Sequence, residues 1–495
     1  FILLSILSIY TTMSRLISNQ MVQIGTLKSL GFYDRQIYFH YGAYGFLVAI
    51  IGSLVGVIFG YTVVANLVMN IKKATLTLPV WKKSFSIDSM ILIVLIVTVC
   101  TLATIITTRK VIKNNPSFTI KGMLDKKSSG PGIYKKSRLS YDWLWTLRSI
   151  RIHPIRTFMS ITAIVGSIVL MVAGLGVWDS LYSSYQDVYN NEFCYKYIGQ
   201  VYGESYNNLS RKFNSFDVQF AQSETADFSF HGIEKSGSLL VLDSGDKIRI
   251  FDAKSKKKIR IEKDEVAIAS QLAEKLDVKV GDKIAYKTKS SLNEHRVTVT
   301  AIVDAKMPQG IFIYKDKVKN FEPNTIYIGD SEAYEQAKKE ESISNIISIK
   351  KQQDNMKEMM DSVHSIMYIL IVAAFVLSVV ILYNLGILSY LERYREYATM
   401  KVIGFKHSEI MGMVFKESVL NLLTGFVIGI PLSKQFLKLY IRVVSMDSME
   451  WTPIITKDHF LIVIFCVIGF SVLVNLVVSM RIRKIDMVEA LKSIE

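Results

Sequence analysis

The sequence contains few of the residues from which disulfide frameworks, metal centres and catalytic sites are built. Its 495 residues include three cysteines, too few for a disulfide framework, and seven histidines that are scattered without metal-ligand spacing. It also lacks the Gly-x-x-x-x-Gly-Lys-[Ser/Thr] phosphate loop, and its Asp, Glu and Ser residues show no nucleophile elbow or catalytic-triad spacing. We therefore expect no enzyme activity, no bound cofactor and no metal in this chain.

Long apolar runs, in contrast, are abundant. Half of the residues are hydrophobic, and the mean hydropathy is +0.29 although 21% of the residues are charged. Uncharged stretches of roughly 20 residues alternate with strongly charged segments, and a stretch of that length is typical of a membrane-spanning helix. This pattern excludes a soluble enzyme and a disordered chain. The predicted spans are 2–14, 43–69, 89–108, 157–178, 365–391, 418–440 and 459–480.

The distribution of charge predicts which loops are cytoplasmic. Lys and Arg number 59 and Asp and Glu number 43, a formal net charge of +16, and basic loops of membrane proteins lie on the cytoplasmic side. The loop 109–156 carries twelve Lys and Arg, so we expect it inside, together with the loop 392–410 and the C-terminal tail. The loop 70–88 carries four lysines yet falls outside by parity. We expect a multi-pass membrane protein with residues 179–362 outside and the C-terminus inside. A composition rich in Ile and Lys with few cysteines would suit the plasma membrane of a bacterium.

At about 150 residues per domain, length alone predicts about three domains. The spans and loops divide the chain more finely, into five segments. The fold class is a polytopic α-helical membrane protein, with two parallel three-helix units, one extra helix and a mixed α+β extracytoplasmic domain. The chain begins within an apolar run without an initiator Met, and we expect its natural start to be missing. The segments are 1–110, the first membrane unit; 111–156, a cytoplasmic linker and interfacial helix; 157–178, the extra helix; 179–362, the extracytoplasmic domain; and 363–495, the second membrane unit and tail.

Shorter patterns predict elements within these segments. A Gly-Pro-Gly sequence among paired lysines predicts a flexible linker over 121–139, and Trp143 and Trp145 among alternating apolar and basic residues indicate an interfacial amphipathic helix. A plain juxtamembrane extension is the alternative for that helix. The polar residues 351–364 have helical period and should continue into the fifth span. In the insert, the predicted strands are 238–242, 247–251, 296–303, 311–314 and 343–349, and the predicted helices are 267–276 and 333–340.

The chain contains an internal repeat at an offset of 373 residues. Residues 26–32 read TLKSLGF and residues 399–405 read TMKVIGF, and the spans on either side also correspond. Ile37 then matches Ile410, and each copy ends in a basic segment. Because both copies run in the same direction, the repeat predicts a pseudo-two-fold axis along the membrane normal. By this symmetry, a span and an outer domain would also precede the first copy.

Each copy contains a loop of roughly 25 residues that is built around a glycine. Helical period holds up to Gly31 and Gly404, where glycine can supply the left-handed residue that ends a helix, and a new helix begins a few residues later. A simple connection needs only a few residues, so a duplicated loop of this length favours a docking surface. After each loop, glycines spaced by four allow close helix packing in lipid. These glycines are Gly52, Gly56 and Gly60 in the first copy and Gly425 and Gly429 in the second.

These residues resemble those of the FtsX/MacB-type ABC transporter permeases. Residues 392–405, which read ERYREYATMKVIGF, with Ile410 and Glu417 after them, resemble the signature of that family. In the insert, 265–276 (EVAIASQLAEKL) and 280–284 (VGDKI) are similar to the family's outer-domain motif. The first copy departs from the signature, since Val22-Gln23 occupies the place of Arg395-Glu396 and Tyr44 that of Glu417.

The resemblance implies a permease subunit whose cytoplasmic loops dock on a partner ABC ATPase, present in two copies, which binds ATP and Mg. ATP hydrolysis there would move the outer domain, for export, extraction or mechanotransmission, and an extracellular peptide, lipoprotein or wall enzyme would be a further partner beside the lipid bilayer. The coupling residues expected on this basis are Leu27, Lys28, Leu30, Gly31, Phe32, Ile37, Arg395, Glu396, Met400, Lys401, Ile403, Gly404, Phe405 and Ile410.

Two other functions remain to be weighed. A transmembrane signalling or scaffold protein, which activates an extracellular cell-wall hydrolase or senses antimicrobial peptides, would use the same architecture. A secondary transporter is disfavoured, because such proteins need ionisable or broken-helix sites near mid-membrane and the predicted spans lack charge in their middles. The basic tract 254–260 is read as a solvated turn, and no nucleic-acid partner is expected.

Overall fold

The computed structural model describes residues 2–75, 80–82, 84, 86–113, 141–152, 154–259, 261, 265–289, 294–318, 320–445 and 449–483. The predicted linker 121–139 and the tail after 483 lie outside these residues. The chain forms two compact units. The helical unit comprises 1–175, 365–437 and 456–495, and the sheet unit comprises 176–364 and 438–455.

Most of the described chain outside the insert is helical. A π-helical turn, Gly60–Val64, joins α3 to α4, and another, Val188–Glu192, follows α7. The helices are α1 (Ile2–Asn19), α2 (Met21–Ser29), α3 (Asp34–Phe59), α4 (Ala65–Thr75), α5 (Ile87–Ile112), α6 (Tyr141–Ile152), α7 (Pro154–Asp187), α8 (Tyr206–Lys212), α9 (Ser270–Leu276), α10 (Ser331–Lys339), α11 (Ile349–Glu392), α12 (Tyr394–Val402), α13 (His407–Val444) and α14 (Lys457–Arg483).

Within the described residues, six helical stretches are long and apolar enough to cross a membrane. They are Asp34–Met69, Ile87–Arg109, Pro154–Glu192, Ile349–Leu391, His407–Val443 and Lys457–Met480. Six of the seven predicted spans fall on them. The remaining predicted span, 2–14, falls on α1, which is not among the six. The apolar run of α1 is interrupted by hydroxyl residues and by Arg15. The protein is therefore a polytopic membrane protein that also carries a sheet domain.

The sheet unit is a mixed sheet with a separate two-stranded ribbon. The sheet order is β12-β1-β11-β2-β3-β10-β6-β9, with β7 beside β2 and β8 beside β7. The pairs β3–β10 and β6–β9 are parallel and the others are antiparallel. The strands are β1 (Tyr197–Val201), β2 (Val218–Phe230), β3 (Ile233–Leu242), β4 (Ile250–Phe251), β5 (Lys258–Ile259), β6 (Val266–Ala269), β7 (Lys283–Thr288), β8 (His295–Thr298), β9 (Ala301–Val303), β10 (Gly310–Tyr314), β11 (Thr325–Ile328) and β12 (Ile343–Ser348).

Both faces of this sheet are covered. Leu239 and Val241 of β3 belong to one hydrophobic core, which also includes Leu272 and Leu276 of α9. Leu240 and Leu242 of the same strand belong to a different core. Because successive strand residues point to opposite faces, the sheet is packed on both sides.

Several predicted elements are confirmed and others need correction. The strands at 238–242, 311–314 and 343–349, the helix at 333–340 and the continuation of 351–364 into the fifth span are all present. Three predictions were wrong in extent. The run 296–303 is divided into β8 and β9, and the predicted helix 267–276 begins as strand β6, because residues 266–269 are buried between β10 and β9. Of the predicted strand 247–251, only Ile250–Phe251 is extended in a ladder.

Candidate functional site

Two helix–glycine–helix corners carry the residues predicted to couple to a partner. The first corner joins α2 to α3 and the second joins α12 to α13. Gly31 has φ of 90° and Gly404 has φ of 103°, so the predicted left-handed residues are confirmed. Phe32 N–H donates to the carbonyl of Leu27, and Phe405 N–H donates to that of Met400. With the bonds from Gly31 N–H to Lys28 and from Gly404 N–H to Lys401, both corners are complete Schellman motifs.

The next helix starts in the same way in both corners. The Tyr33 N–H donates to the side-chain oxygen of Gln36 at 3.0 Å, and the Lys406 N–H donates to the carboxylate of Glu409 at 2.8 Å. These are equivalent positions of the repeat, and each bond satisfies a backbone donor that would otherwise lack a partner at a helix N-terminus. Each corner is therefore fixed on both sides of its glycine.

The two corner lysines have a role that sequence reasoning missed. Lys28 Nζ donates to the carbonyl of Ile112, the last residue of α5, and lies 3.3 Å from a carboxylate oxygen of Asp34. Lys401 Nζ donates at 3.3 Å to the carbonyl of Arg483, the last residue of α14. A lysine at a helix C-terminus satisfies a free carbonyl and compensates the negative end of the dipole. Each corner is thus tied to the third helix of its own membrane unit.

The predicted apolar anchors divide into buried and exposed residues. Ile37 and Ile410 are buried within the helical unit, where each belongs to a hydrophobic core beneath its corner. Their burial shows that they support the corner from below, and the expectation that they contact a partner stays an untested prediction. Leu27, Met400 and Phe405 are half-buried.

The tips of the corners expose large apolar side chains at equivalent positions. Leu30 is 72% exposed and Ile403 is 71% exposed. Phe32, beside Gly31, is also exposed. Because the exposed apolar residues recur at equivalent positions of both corners, the tips are candidate interaction surfaces.

The charged residues predicted for the second corner lie on α12. Glu396 is exposed, whereas the side chain of Arg395 lies outside the described part of the structure. At the equivalent sites of the first corner, Val22 and Gln23 are both exposed. The two corners therefore share their shape and apolar tip but differ in charge.

A buried ion-pair cluster lies behind the second corner. Glu417 of α13 accepts from Arg156 Nη2 and from Arg393 Nη1, each at 2.8 Å, and from Ser149 Oγ at 3.0 Å. The three charged side chains are 1–9% exposed. Glu417 and Arg393 lie in or next to the segment that resembles the family signature, but Arg156 and Ser149 come from α7 and α6, more than 260 residues away from Glu417 in sequence. Only the fold could identify these two partners.

The two glycine faces have different environments. A Cβ atom on Gly425 would lie 2.5 Å from Cγ2 of Ile164, and one on Gly429 would lie 2.9 Å from Cδ1 of Ile168, so α13 approaches α7 closely. Around Gly52, Gly56 and Gly60, the described residues place no atom within 4 Å of such a Cβ. Close packing at the first face therefore stays a prediction.

In the sheet unit, a buried lysine organises a charged cluster. Lys306 Nζ lies 2.6 Å from Asp304 Oδ1 and 3.6 Å from Glu450 Oε1, and Glu450 in turn accepts from Ser270 Oγ at 2.8 Å. Burial alone would lower the pKa of Lys306, but the nearby carboxylates of Glu450 and Asp304 outweigh it and raise that pKa. Ser270 belongs to the predicted outer-domain motif, so this motif borders the cluster.

A comparison with protein families finds a match in each of the two membrane units. The FtsX-like permease C-terminal family matches residues 1–116 and residues 368–487, which contain the first and second corners respectively. No curated protein matches the chain. The double match agrees with the duplicated corners and with the apolar helices on either side of them. With two copies of this domain in tandem, the chain belongs to the FtsX-like permeases.

Proposed function

We propose that the protein is the membrane subunit of an ABC transporter and that its two corners dock on a cytoplasmic ATPase present in two copies. ATP and Mg are bound by that partner, and this chain converts the partner's movement into movement of the extracytoplasmic sheet unit. The family match supports a permease-type membrane function. The observation that carries the docking proposal is the exposed apolar tip, Leu30 and Ile403, duplicated on two corners of the same backbone geometry.

Rigidity of the corners supports this role. A docking element transmits force only if it does not yield locally, and each corner is held by a Schellman motif, a helix cap and a lysine tie. The second corner also follows α11, which runs without a break for 44 residues from Ile349 to Glu392. Displacement of the corner is therefore passed to a single long helix whose other end follows strand β12.

The first prediction concerns the tips. Replacing Leu30 and Ile403 together by Ser should remove two apolar anchors and weaken ATPase binding by about tenfold or more, since buried anchors dominate interface energies. The measurement is pull-down of the co-expressed ATPase and ATP turnover in membranes. The matched control is Val280→Ser, because Val280 is an exposed apolar residue of the sheet unit.

The control should bind the ATPase and support turnover like the unaltered protein. Unchanged ATPase binding by the double variant, at equal amounts in the membrane, would show that the corner tips are not the docking surface.

A further inference from the structure

A small polar cavity lies within the helical unit, among four of its helices. It has a volume of about 80 Å³ and is bordered by α7, α11, α13 and α14. Polar side chains within a membrane bundle are costly unless their hydrogen bonds are satisfied, so the partners of the polar lining decide what the cavity can hold. Each helix contributes at least one polar side chain, and these include Ser160 of α7, Ser389 of α11, Asn421 of α13 and Ser471 of α14.

The amide of Asn421 has unused hydrogen-bonding capacity. Asn421 is only 8% exposed, yet its side chain makes no hydrogen bond to another described residue. Its amide atoms nevertheless retain accessible surface, in contrast to the buried and unbonded Nε and Nη2 atoms of Arg393. An amide side chain carries two N–H donors and one carbonyl acceptor. Asn421 therefore offers both donors and an acceptor to a molecule in the cavity.

The three serines of the lining are also without side-chain partners. A serine within a helix can donate to the carbonyl four residues earlier, as Ser167 and Ser378 do in this protein. The hydroxyls of Ser160, Ser389 and Ser471 make neither this bond nor any other within the described part of the chain. Each hydroxyl can donate one hydrogen bond and accept two. Four helices thus present unused donors and acceptors to the same space.

The charged residues of the lining favour a neutral occupant. Arg156 and Glu417 border the cavity and are bonded to each other at 2.8 Å. A cation in the cavity would lie beside the guanidinium of Arg156, and an anion would lie beside the carboxylate of Glu417. A small neutral molecule that both donates and accepts hydrogen bonds fits the remaining lining, and water has these properties. Because a water molecule takes up about 30 Å³ in the liquid, the cavity has room for about two or three.

The polar lining is specific to the second copy of the repeat. At the offset of 373 residues, Asn421 corresponds to Val48 and Ser389 corresponds to Leu16. Both copies form the same helix–glycine–helix corner. The repeated fold therefore does not require these polar groups, and their presence in the second copy calls for an occupant of the cavity.

We propose that this cavity binds a cluster of about two or three water molecules that bridges α7, α11, α13 and α14. The waters bond to the Asn421 amide and to the hydroxyls of Ser160, Ser389 and Ser471. They satisfy polar groups that are not bonded to any described side chain. Bonds through an ordered water are nearly as favourable in enthalpy as direct ones, so the cluster helps to hold the four helices together.

Hydroxyl-radical footprinting tests the proposal on the unaltered protein. X-rays generate the radicals from water in place, so a buried leucine is oxidised where a water molecule lies beside it. Leu385 and Leu388 of α11 are 4% and 5% exposed, but of the two only Leu385 lines the cavity. The full protein is purified in detergent and irradiated, and the oxidation of each leucine is measured by tandem mass spectrometry. Leu385 should be oxidised and Leu388 should not.

A variant that carries the residue of the first copy tests the role of the amide. Asn421→Val should lower the oxidation of Leu385 to the level of Leu388, because the amide that binds the water is removed. The matched control is Thr424→Val, because Thr424 lies on the same helix, is exposed and does not line the cavity. This control should leave the oxidation of Leu385 unchanged.

Equal oxidation of Leu385 and Leu388 in the unaltered protein would overturn the proposal, since the cavity would then be dry or filled by an apolar chain. Unchanged oxidation of Leu385 in Asn421→Val would also overturn it. An ion as the occupant is tested by replacing sodium chloride with N-methylglucamine gluconate at equal ionic strength, which should leave the melting temperature unchanged. A shift in melting temperature that Asn421→Val abolishes would show that the cavity holds an ion instead of water.

Discussion

Glu417 is bonded to both Arg156 and Arg393, and these ion pairs explain how a buried glutamate is tolerated within a membrane helix. Charged side chains in such helices are expected to pair with one another inside the bundle. Here the pairing joins α6, α7 and α13 and the start of α12 behind one corner. Glu417 thus holds together helices that are distant in sequence.

Replacing Glu417 by Gln should destabilise the protein strongly. The variant removes the carboxylate that pairs with two buried guanidinium groups, and breaking a buried ion pair costs about 3–5 kcal/mol. The measurement is thermal unfolding of the purified protein in detergent. Glu396→Gln is the control, because that carboxylate is exposed and its loss should change stability by no more than about 0.5 kcal/mol. Equal effects of the two changes would contradict the bracing role.

Gly404 is a second position where the identity of one residue decides the local backbone structure. Its φ of 103° is strained for any L-residue, while the described neighbours leave open space around it. Gly404→Val should therefore act through backbone conformation alone, at a cost of about 1–2 kcal/mol or more. Gly404→Asn should be milder, because asparagine tolerates the left-handed region.

In membranes, Gly404→Val should reach normal amounts yet fail to bind or stimulate the ATPase, and Gly404→Asn should retain part of that function. The same pair of changes at Gly31 tests the first corner. Identical behaviour of the Val and Asn variants would show that positive φ is not what the corner requires.

At the scale of the element, the sheet between 193 and 349 has cores on both faces, and the residues of these cores lie within that range. A fragment 185–355 should therefore be soluble and unfold cooperatively in denaturant. A fragment that stays unfolded would show that the sheet depends on the rest of the chain.

The same fragment should lose stability in acid through Asp304. Burial alone would raise the pKa of this carboxyl, but hydrogen bonds from Lys256 and Lys306 outweigh burial and hold that pKa below its ordinary value. The resulting stabilisation is complete above the unfolded pKa, near pH 4, and is lost as the pH falls through the lower folded pKa. The free energies of unfolding of the unaltered fragment and of Asp304→Asn should therefore differ at pH 6 and converge as the pH falls through the lowered folded pKa. A difference in unfolding free energy that does not change with pH would contradict the lowered pKa of Asp304.

How far the sequence predicts each element depends on whether its cause is local. The corners were predictable, since a glycine after helical period is enough to specify a Schellman ending. Strand β2 was not, because Glu224 and Asp227 interrupt its apolar pattern, and its register with β3, β7 and β11 is long-range. Strand β6 was taken for helix, because a short apolar run fits either structure until its neighbours are known.

The same distinction holds for the candidate site. Leu30 and Ile403 could be named from sequence because they adjoin the corner glycines. The lysine ties to Ile112 and Arg483 could not, since their acceptors are backbone carbonyls that leave no sequence signal. The burial of Ile37 and Ile410 could not be predicted from the sequence either, because cores and interfaces both require apolar residues.

At the scale of the whole molecule, the predicted orientation places the sheet unit outside and both corners inside. Single cysteines at Glu332 and at Lys406 test it, because both side chains are exposed on their own units. The three native cysteines, Cys100, Cys194 and Cys466, are first replaced by Ser. An impermeant maleimide on whole cells should label Glu332→Cys but not Lys406→Cys, and both after permeabilisation. Labelling of Lys406→Cys but not of Glu332→Cys in intact cells would show that the orientation is the opposite of the predicted one.

The lysine ties have a consequence for how the two copies can diverge. In each copy the acceptor is a main-chain carbonyl, so the side chain at that helix end takes no part in the bond. One copy ends its third helix with Ile112 and the other with Arg483, and the tie is present in both. Mutation can therefore alter the chemistry of these helix ends without loosening the corners. A duplicated gene is free to specialise each cytoplasmic surface while the mechanical linkage beneath it stays the same.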